Sequence, residues 1–275
     1  MIGKIKLIIF LLILFCSNLI AQVEQNDTLL HFFNERISEN PRNSAAIASR
    51  AFIYANLKEY KKALKDIDRA IELRKESPTD TFHIFKAEIH LMLGQEKSVL
   101  TEAKKALEIN YGPRTLFYIL EFAFVLEQYD LCIEYANEYL QFVRDNEKVY
   151  YYRGSSLMKG GALDSLIIYD LQKALKLTEQ ETDTSRLKLY TYFQLGRFFH
   201  KRMQWDSAIS YYNRILNTDD SLVEEMNLFY EVGECYFYSH KYDKAITMLS
   251  MHTSIYKWHN NLYLLGRSNE YLVSY

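Results

Sequence analysis

Small and apolar residues recur along the chain at fixed offsets. Counted from Gly196, they fall at Phe199, Trp205, Ala208, Tyr212 and Ile215, that is +3, +9, +12, +16 and +19, with Tyr192 and Leu195 just before. The same offsets run from Gly233 through Tyr236, Tyr242, Ala245, Leu249 and His252, and from Ala51 through Tyr54, Tyr60, Ala63, Ile67 and Ala70. Steps of three and four hold residues on one helix face, and the gap before +9 leaves room for a short turn. The pattern predicts two amphipathic helices per unit, with small residues where they touch and aromatics filling the space around them.

Weaker copies keep the frame. Ala87 is followed by His90, Val99, Ala103 and Ala106; Leu120 by Ala123, Tyr129, Cys132, Ala136 and Tyr139; Gly154 by Leu157, Ile167, Leu171 and Ala174, with one extra residue in the Gly160-Gly161 turn. Gly266 opens a seventh copy that stops at Tyr275 after one helix. The intervals between positions 51, 87, 120, 154, 196, 233 and 266 are 36, 33, 34, 42, 37 and 33, and the long one predicts a polar loop near Thr178 to Ser185. Glu96 stands where other copies have an aromatic, and Leu120 where they have a small residue. Upstream, Asp27 is placed to cap a helix carrying Leu29, Leu30, Phe32, Phe33 and Ile37. Pro41, Pro78 and Pro113 all fall at junctions, where a missing N–H costs least.

In these residues the chain resembles the tetratricopeptide repeat family, whose unit is a helix-turn-helix of about 34 residues. The resemblance implies an all-α, right-handed solenoid over residues 22–275. It would consist of a half-repeat at 27–41, about six repeats from 44 to 259 and a terminal half-repeat at 260–275. It also implies a non-catalytic scaffold whose first helices line a groove for a protein or peptide.

Composition narrows the picture. Nine Gly and three Pro are too few for the closely spaced turns of a β-sandwich, and 49% hydrophobic residues exclude general disorder. A formal charge of −2 gives no electrostatic case for nucleic acid. Residues 1–21 read as an export signal: Lys4 and Lys6, then nine apolar residues from Leu7 to Phe15, then Ala21 at a cleavage point. A periplasmic or cell-envelope location follows. The alternative is a membrane-anchored sensory or regulatory module that retains this segment, and only then is a membrane a partner. Phe15 before Cys16 speaks against lipid attachment, and Cys132 and Cys235, three repeats apart, are expected to be unbridged.

No phosphate loop, Cys-pair metal spacing, zinc-protease or serine-hydrolase motif occurs, so neither an enzyme nor a cofactor or metal is expected. The pairs Asp219-Asp220 and Glu224-Glu225 read as helix-start charges. His83 and His90 fall at packing positions, and His200 has no ligand three or four residues away. The richest pattern is a second stripe on the first helices. Three residues before each small position stand Ala48, Ile84, Phe117, Tyr151, Phe193, Tyr230 and Tyr263, the last five aromatic; one residue after stand Arg197, Glu234 and Arg267 in the last three copies. Phe117, Tyr151, Phe193, Arg197, Tyr230, Tyr263 and Arg267 are the candidate partner-binding residues. The same aromatics would also serve as packing between repeats. The family's clamp for a C-terminal carboxylate is disfavoured, because Ala48, Phe52, Ile84 and Glu88 occupy its places. Leu262, Leu265, Tyr271, Leu272 and Val273 predict an apolar end that buries itself in a partner or in a second copy of the chain.

Overall fold

The computed structural model of the protein describes residues 26–179, 185–218, 223, 226–255 and 259–273. Among them are fourteen helices and no strand. In chain order they are α1 (26–39), α2 (Ser44–Asn56), α3 (Tyr60–Leu73), α4 (Asp80–Met92), α5 (Glu96–Ile109), α6 (Pro113–Val125) and α7 (Tyr129–Phe142). Then follow α8 (Glu147–Gly160), α9 (Asp164–Leu177), α10 (Arg186–Lys201), α11 (Trp205–Leu216), α12 (Leu228–Tyr238), α13 (Tyr242–Ile255) and α14 (His259–Val273). Helices stand where the sequence pattern predicts them, and Asp27 lies inside the first turns of α1. The chain divides after Leu126 into two compact units. Within each, every helix from α2 to α6 and from α7 to α14 packs on the next, and first helices also meet across repeats, α4 with α6, α8 with α10 and α12 with α14.

The turns inside the repeats share one geometry that the residue types do not advertise. Lys58, Glu127, Met203 and His240 have φ between 56° and 60°, in the left-handed region, at the place taken by Gly94 and Gly161 in two other repeats. After α10, the Met203 N–H donates to the His200 carbonyl (2.9 Å) and the Gln204 N–H to the Phe199 carbonyl (3.0 Å). The same pair of bonds closes the turns at Lys58 and His240. This closure satisfies the last carbonyls of the first helix and reverses the chain, even where no glycine relieves the strain.

The small position brings the two helices together. A Cβ added to Gly196 would lie 2.3 Å from Cε1 of Tyr212, sixteen residues on, and one added to Gly233 would lie 2.7 Å from Cγ of Leu249. In the first repeat Ala51 and Ile67 are fully buried in one cluster with Ala63 and Ala70. Tyr212, Leu249, Val232 and Cys235 belong to the corresponding cluster of the last repeats.

A second contact recurs beside it. Arg50 on α2 donates to both oxygens of Asp66 on α3 (2.7 and 2.8 Å) and to the side-chain oxygen of Asn34 on α1 (2.8 Å). Arg153 on α8 does the same with Asp170 on α9 (2.8 and 2.7 Å) and Asn137 on α7 (2.7 Å). Lys86 on α4 reaches Glu102 on α5 (3.3 Å) and Asp68 on α3 (2.8 Å). Each cation stands one residue before the small position and staples three consecutive helices. Burial works against the charge of Glu102, but hydrogen bonds from His83 and Lys105 and the nearby Lys86 hold its carboxyl down at about 2.

Several expectations fall elsewhere. Residues 1–21, the two acidic pairs, residues 180–184 of the expected loop and Tyr275 lie outside the described residues, as do the side chains of His252, Leu262, Leu272 and Val273. Cys132 and Cys235 are buried free thiols. Leu265 packs partly against the last core cluster, and Tyr271 stacks on Tyr242 at 5.0 Å, so these two expected end residues are engaged within the unit.

Gly196→Ala should destabilise the protein by about 1–3 kcal/mol, because Tyr212 or the backbone must move. Gly266→Ala, whose Cβ would meet nothing within 4 Å, should stabilise by about 0.5–1 kcal/mol through helix propensity alone. Paired denaturation midpoints measure the contrast, and equal effects would refute the insertion of Tyr212 against α10.

Candidate functional site

Each unit carries a cleft on its first helices. In the first, α2, α4 and α6 enclose an open cleft of about 410 Å³ lined by Ala48, Phe52, Ile84, Phe85, Glu88 and Tyr118 among others. Phe52 is 54% exposed, and its ring lies 5.8 Å from that of Phe85. An aromatic left this open on a helix otherwise buried at Ala46, Ile47, Ala51 and Ile53 is surface that folding does not use. Glu88 is half-buried beside them. Burial, with the like charge of Glu121 on α6, pushes its carboxyl above the ordinary range.

The second unit has a smaller polar cleft, about 210 Å³, lined by Arg197, His200 and Lys201 of α10 and Glu231 and Glu234 of α12. His200 Nδ1 is 2.8 Å from Glu231 and Nε2 is 3.4 Å from Glu234. The Tyr212 hydroxyl donates to Glu231 (3.3 Å), and the Trp205 ring lies T-shaped to the imidazole with centroids 5.5 Å apart. Burial lowers the pKa of His200, but hydrogen bonds with Cys235, Glu231 and Glu234 outweigh it and push it up to about 12. Burial pushes the Cys235 thiol up, against the influence of His200.

An imidazolium with a carboxylate at each nitrogen has no lone pair to act as a base, and a thiol held above its ordinary pKa is a poor nucleophile. His200, Glu231 and Glu234 also place one ligand atom each within 4.8 Å of one another, enough in number for a divalent cation. Arg197 and Lys201 in the same cleft oppose such an ion, and the proton that the two carboxylates hold on His200 competes with it for the imidazole nitrogens. The cluster is an ion-pair network joining two repeats. No ligand stands three or four residues from His200 along its own helix; its carboxylate partners come from the next repeat.

The stripe residues are placed unequally. Phe117 on α6 is half-buried and 6.4 Å from the ring of Tyr118, which lines the first cleft. Tyr151 on α8 is 8% exposed, a correction to its place on the binding face: its ring is interior packing. Phe193 on α10 is half-buried against Tyr212 at 6.0 Å, with the Arg197 guanidinium 5.7 Å over its ring. Tyr230 on α12 is half-buried, and burial together with Glu234 and Glu231 pushes its phenol up to about 12. Tyr263 on α14 is 65% exposed. Arg267 pairs with Glu270 (3.1 Å) and lies 4.7 Å over Tyr271. Phe52 and Glu88, read from sequence only as evidence against a carboxylate clamp, line the larger cleft. Glu231 was missed altogether, although it stands two residues before a small position, next to Tyr230.

Comparison with protein-family models and with curated proteins gives no match. Solved structures do match. The C-terminal part of a TPR repeat-containing protein from Cytophaga hutchinsonii is 14% identical with a TM-score of 0.65, over 88% of this chain and 95% of that one. A tetratricopeptide repeat protein from Parabacteroides merdae is 16% identical with a TM-score of 0.62, over 82% and 85%. The APC/C hetero-tetramer Cut9-Hcn1 gives 16% and 0.63 over 88% of this chain, which spans only 46% of the matched chain. At these identities the likeness establishes the fold, a tetratricopeptide-type helical repeat.

The charge on His200 generates a pH test. Its folded-state pKa lies above its ordinary value of 6.5, so its contribution to stability is fully present below pH 6.5 and is lost as pH rises toward the folded value. The stability gap between the wild-type protein and His200→Gln should shrink from pH 6.5 to 8.5 by at most about 1.4 kcal/mol per pH unit. Urea denaturation across that range measures it, and a constant gap would mean that the imidazole is neutral.

Proposed function

We propose that this helical-repeat protein is a non-catalytic, protein- or peptide-binding scaffold that works in the cell envelope. The observation that carries the reading is the open apolar cleft across α2, α4 and α6, with Phe52 and Phe85 side by side in it. Three first helices contribute to one surface, so a segment of several residues can lie across them, and aromatic rings gain most when a partner buries them. In the second unit, Tyr263 is the stripe aromatic most open to a partner, while Phe193 and Tyr230 are partly committed to packing. Export rests on residues 1–21, with Lys4 and Lys6 ahead of the apolar run and Ala21 behind it. Among the described residues no helix is long and apolar enough to cross a membrane.

Phe52→Ser should weaken capture of displayed peptides by roughly 5- to 100-fold, about 1–3 kcal/mol, while changing stability by less than about 0.5 kcal/mol, as exposed positions do. Peptide-display binding to the two proteins, with melting curves alongside, separates the effects. Unchanged capture would remove the cleft from the reading. For location, the intact mass of protein from the native host should correspond to a chain beginning at Gln22. A full-length chain recovered from membranes would favour the anchored alternative.

A further inference from the structure

We infer that the cleft of the first unit selects extended segments in which an apolar side chain stands two residues from a lysine or arginine, the cation pairing with Glu88. The inference rests on the peptide-binding reading of that cleft and adds its charge preference. Glu88 lies on the wall formed by α4, three residues from Phe85, a spacing that puts their Cβ atoms about 5–6 Å apart on one helix face. In an extended chain, residues i and i+2 point to the same side about 6.5–7 Å apart. One ligand side chain can therefore lie over the packed rings of Phe52 and Phe85, whose centroids are 5.8 Å apart, while the next on that side reaches the carboxylate.

No ion pair of Glu88 exists among the described residues. The cations close to the cleft, Arg114 and Lys86, are engaged by other groups. Arg114, which lines it, lies 3.6 Å from Asp80 and donates to the Thr81 hydroxyl (3.2 Å). Thr81 is seven residues before Glu88 on α4, about 10 Å along the axis. Lys86, two residues from Glu88, is held by Asp68 and Glu102. A half-buried carboxylate among aromatic rings, with like charge from Glu121 nearby, is destabilised in the free protein. A ligand cation relieves that burden on binding, and a ligand carboxylate adds to it. The occupant is thus a basic-apolar peptide segment of a partner protein; an acidic one is excluded from the Glu88 end.

A random heptapeptide library displayed on phage and selected against the full chain tests this. Segments of the form apolar-x-Lys or apolar-x-Arg should be enriched. Glu88→Gln should reduce the enrichment of the basic residue about tenfold while retaining that of the apolar one, and Glu88→Lys should turn the preference to Asp or Glu. Both exchanges remove a carboxylate that burial disfavours, and circular dichroism verifies their folding. Apolar enrichment that is lost in Phe52→Ser but carries no basic preference, or a basic preference indifferent to Glu88→Gln, would overturn the charge inference and leave the cleft standing. Selection that does not distinguish the wild type from Phe52→Ser would overturn the peptide-binding reading and this inference together.

Discussion

The fold depends on one contact made again and again, a side chain of the second helix pressed against the backbone of the first where that backbone carries little or no side chain. At Gly196 the contact is so close that a methyl group has no place beside Tyr212. Interiors are close-packed, so the approach of two helices is set by the volume at their crossing. Fixing that volume fixes where the turn must reverse the chain, and hence the left-handed residues seven positions after the small one. Lys58, Met203 and His240 accept that conformation because the helices on both sides are already held.

What surrounds this contact changes along the chain. In the first, second and fourth repeats, the position before the small residue is Arg50, Lys86 or Arg153, facing the buried acids Asp66, Glu102 and Asp170. In the fifth and sixth it is Leu195 or Val232, and the residues sixteen positions on are Tyr211 and Met248. Buried charge pairs cost desolvation and reward only good geometry, so their gain is positional as much as energetic. A bidentate arginine that also holds an asparagine of the preceding helix fixes three helices in register. The aromatic repeats obtain their order from ring packing instead, as in the stacking of Trp205 on Tyr238 at 5.1 Å.

The repeat was legible in sequence because its signal is local: small and large residues at constant offsets, confirmed by Gly196 with Tyr212 and Gly233 with Leu249. The site was legible only in part. Tyr151, Phe193 and Tyr230 share an offset with Tyr263, yet exposure depends on neighbours from other repeats, and an offset within one repeat does not carry that information. The staples escaped for a related reason. Arg50 and Asp66 are sixteen residues apart, outside the three- and four-residue spacings by which charge pairs on a single helix are recognised. His200 is the same case, since Glu231 and Glu234 reach it from more than thirty residues away.

Function follows from what packing leaves over. A first helix must satisfy its own second helix and its neighbours, and those demands fix the small position and the apolar residues around it. The remaining face carries no such obligation, so its chemistry differs between units that share a scaffold. In the second unit that face holds balanced charges, His200 between Glu231 and Glu234 with Arg197 and Lys201 beside them, and such a network gains little by exchanging its partners for those of a ligand. In the first unit it holds Phe52, Phe85 and an unbalanced Glu88, where both the rings and the carboxylate have free energy to gain from a partner. On the proposed peptide-binding reading, the larger share of binding free energy is therefore available in the first unit, even though the most regular aromatic stripe belongs to the second.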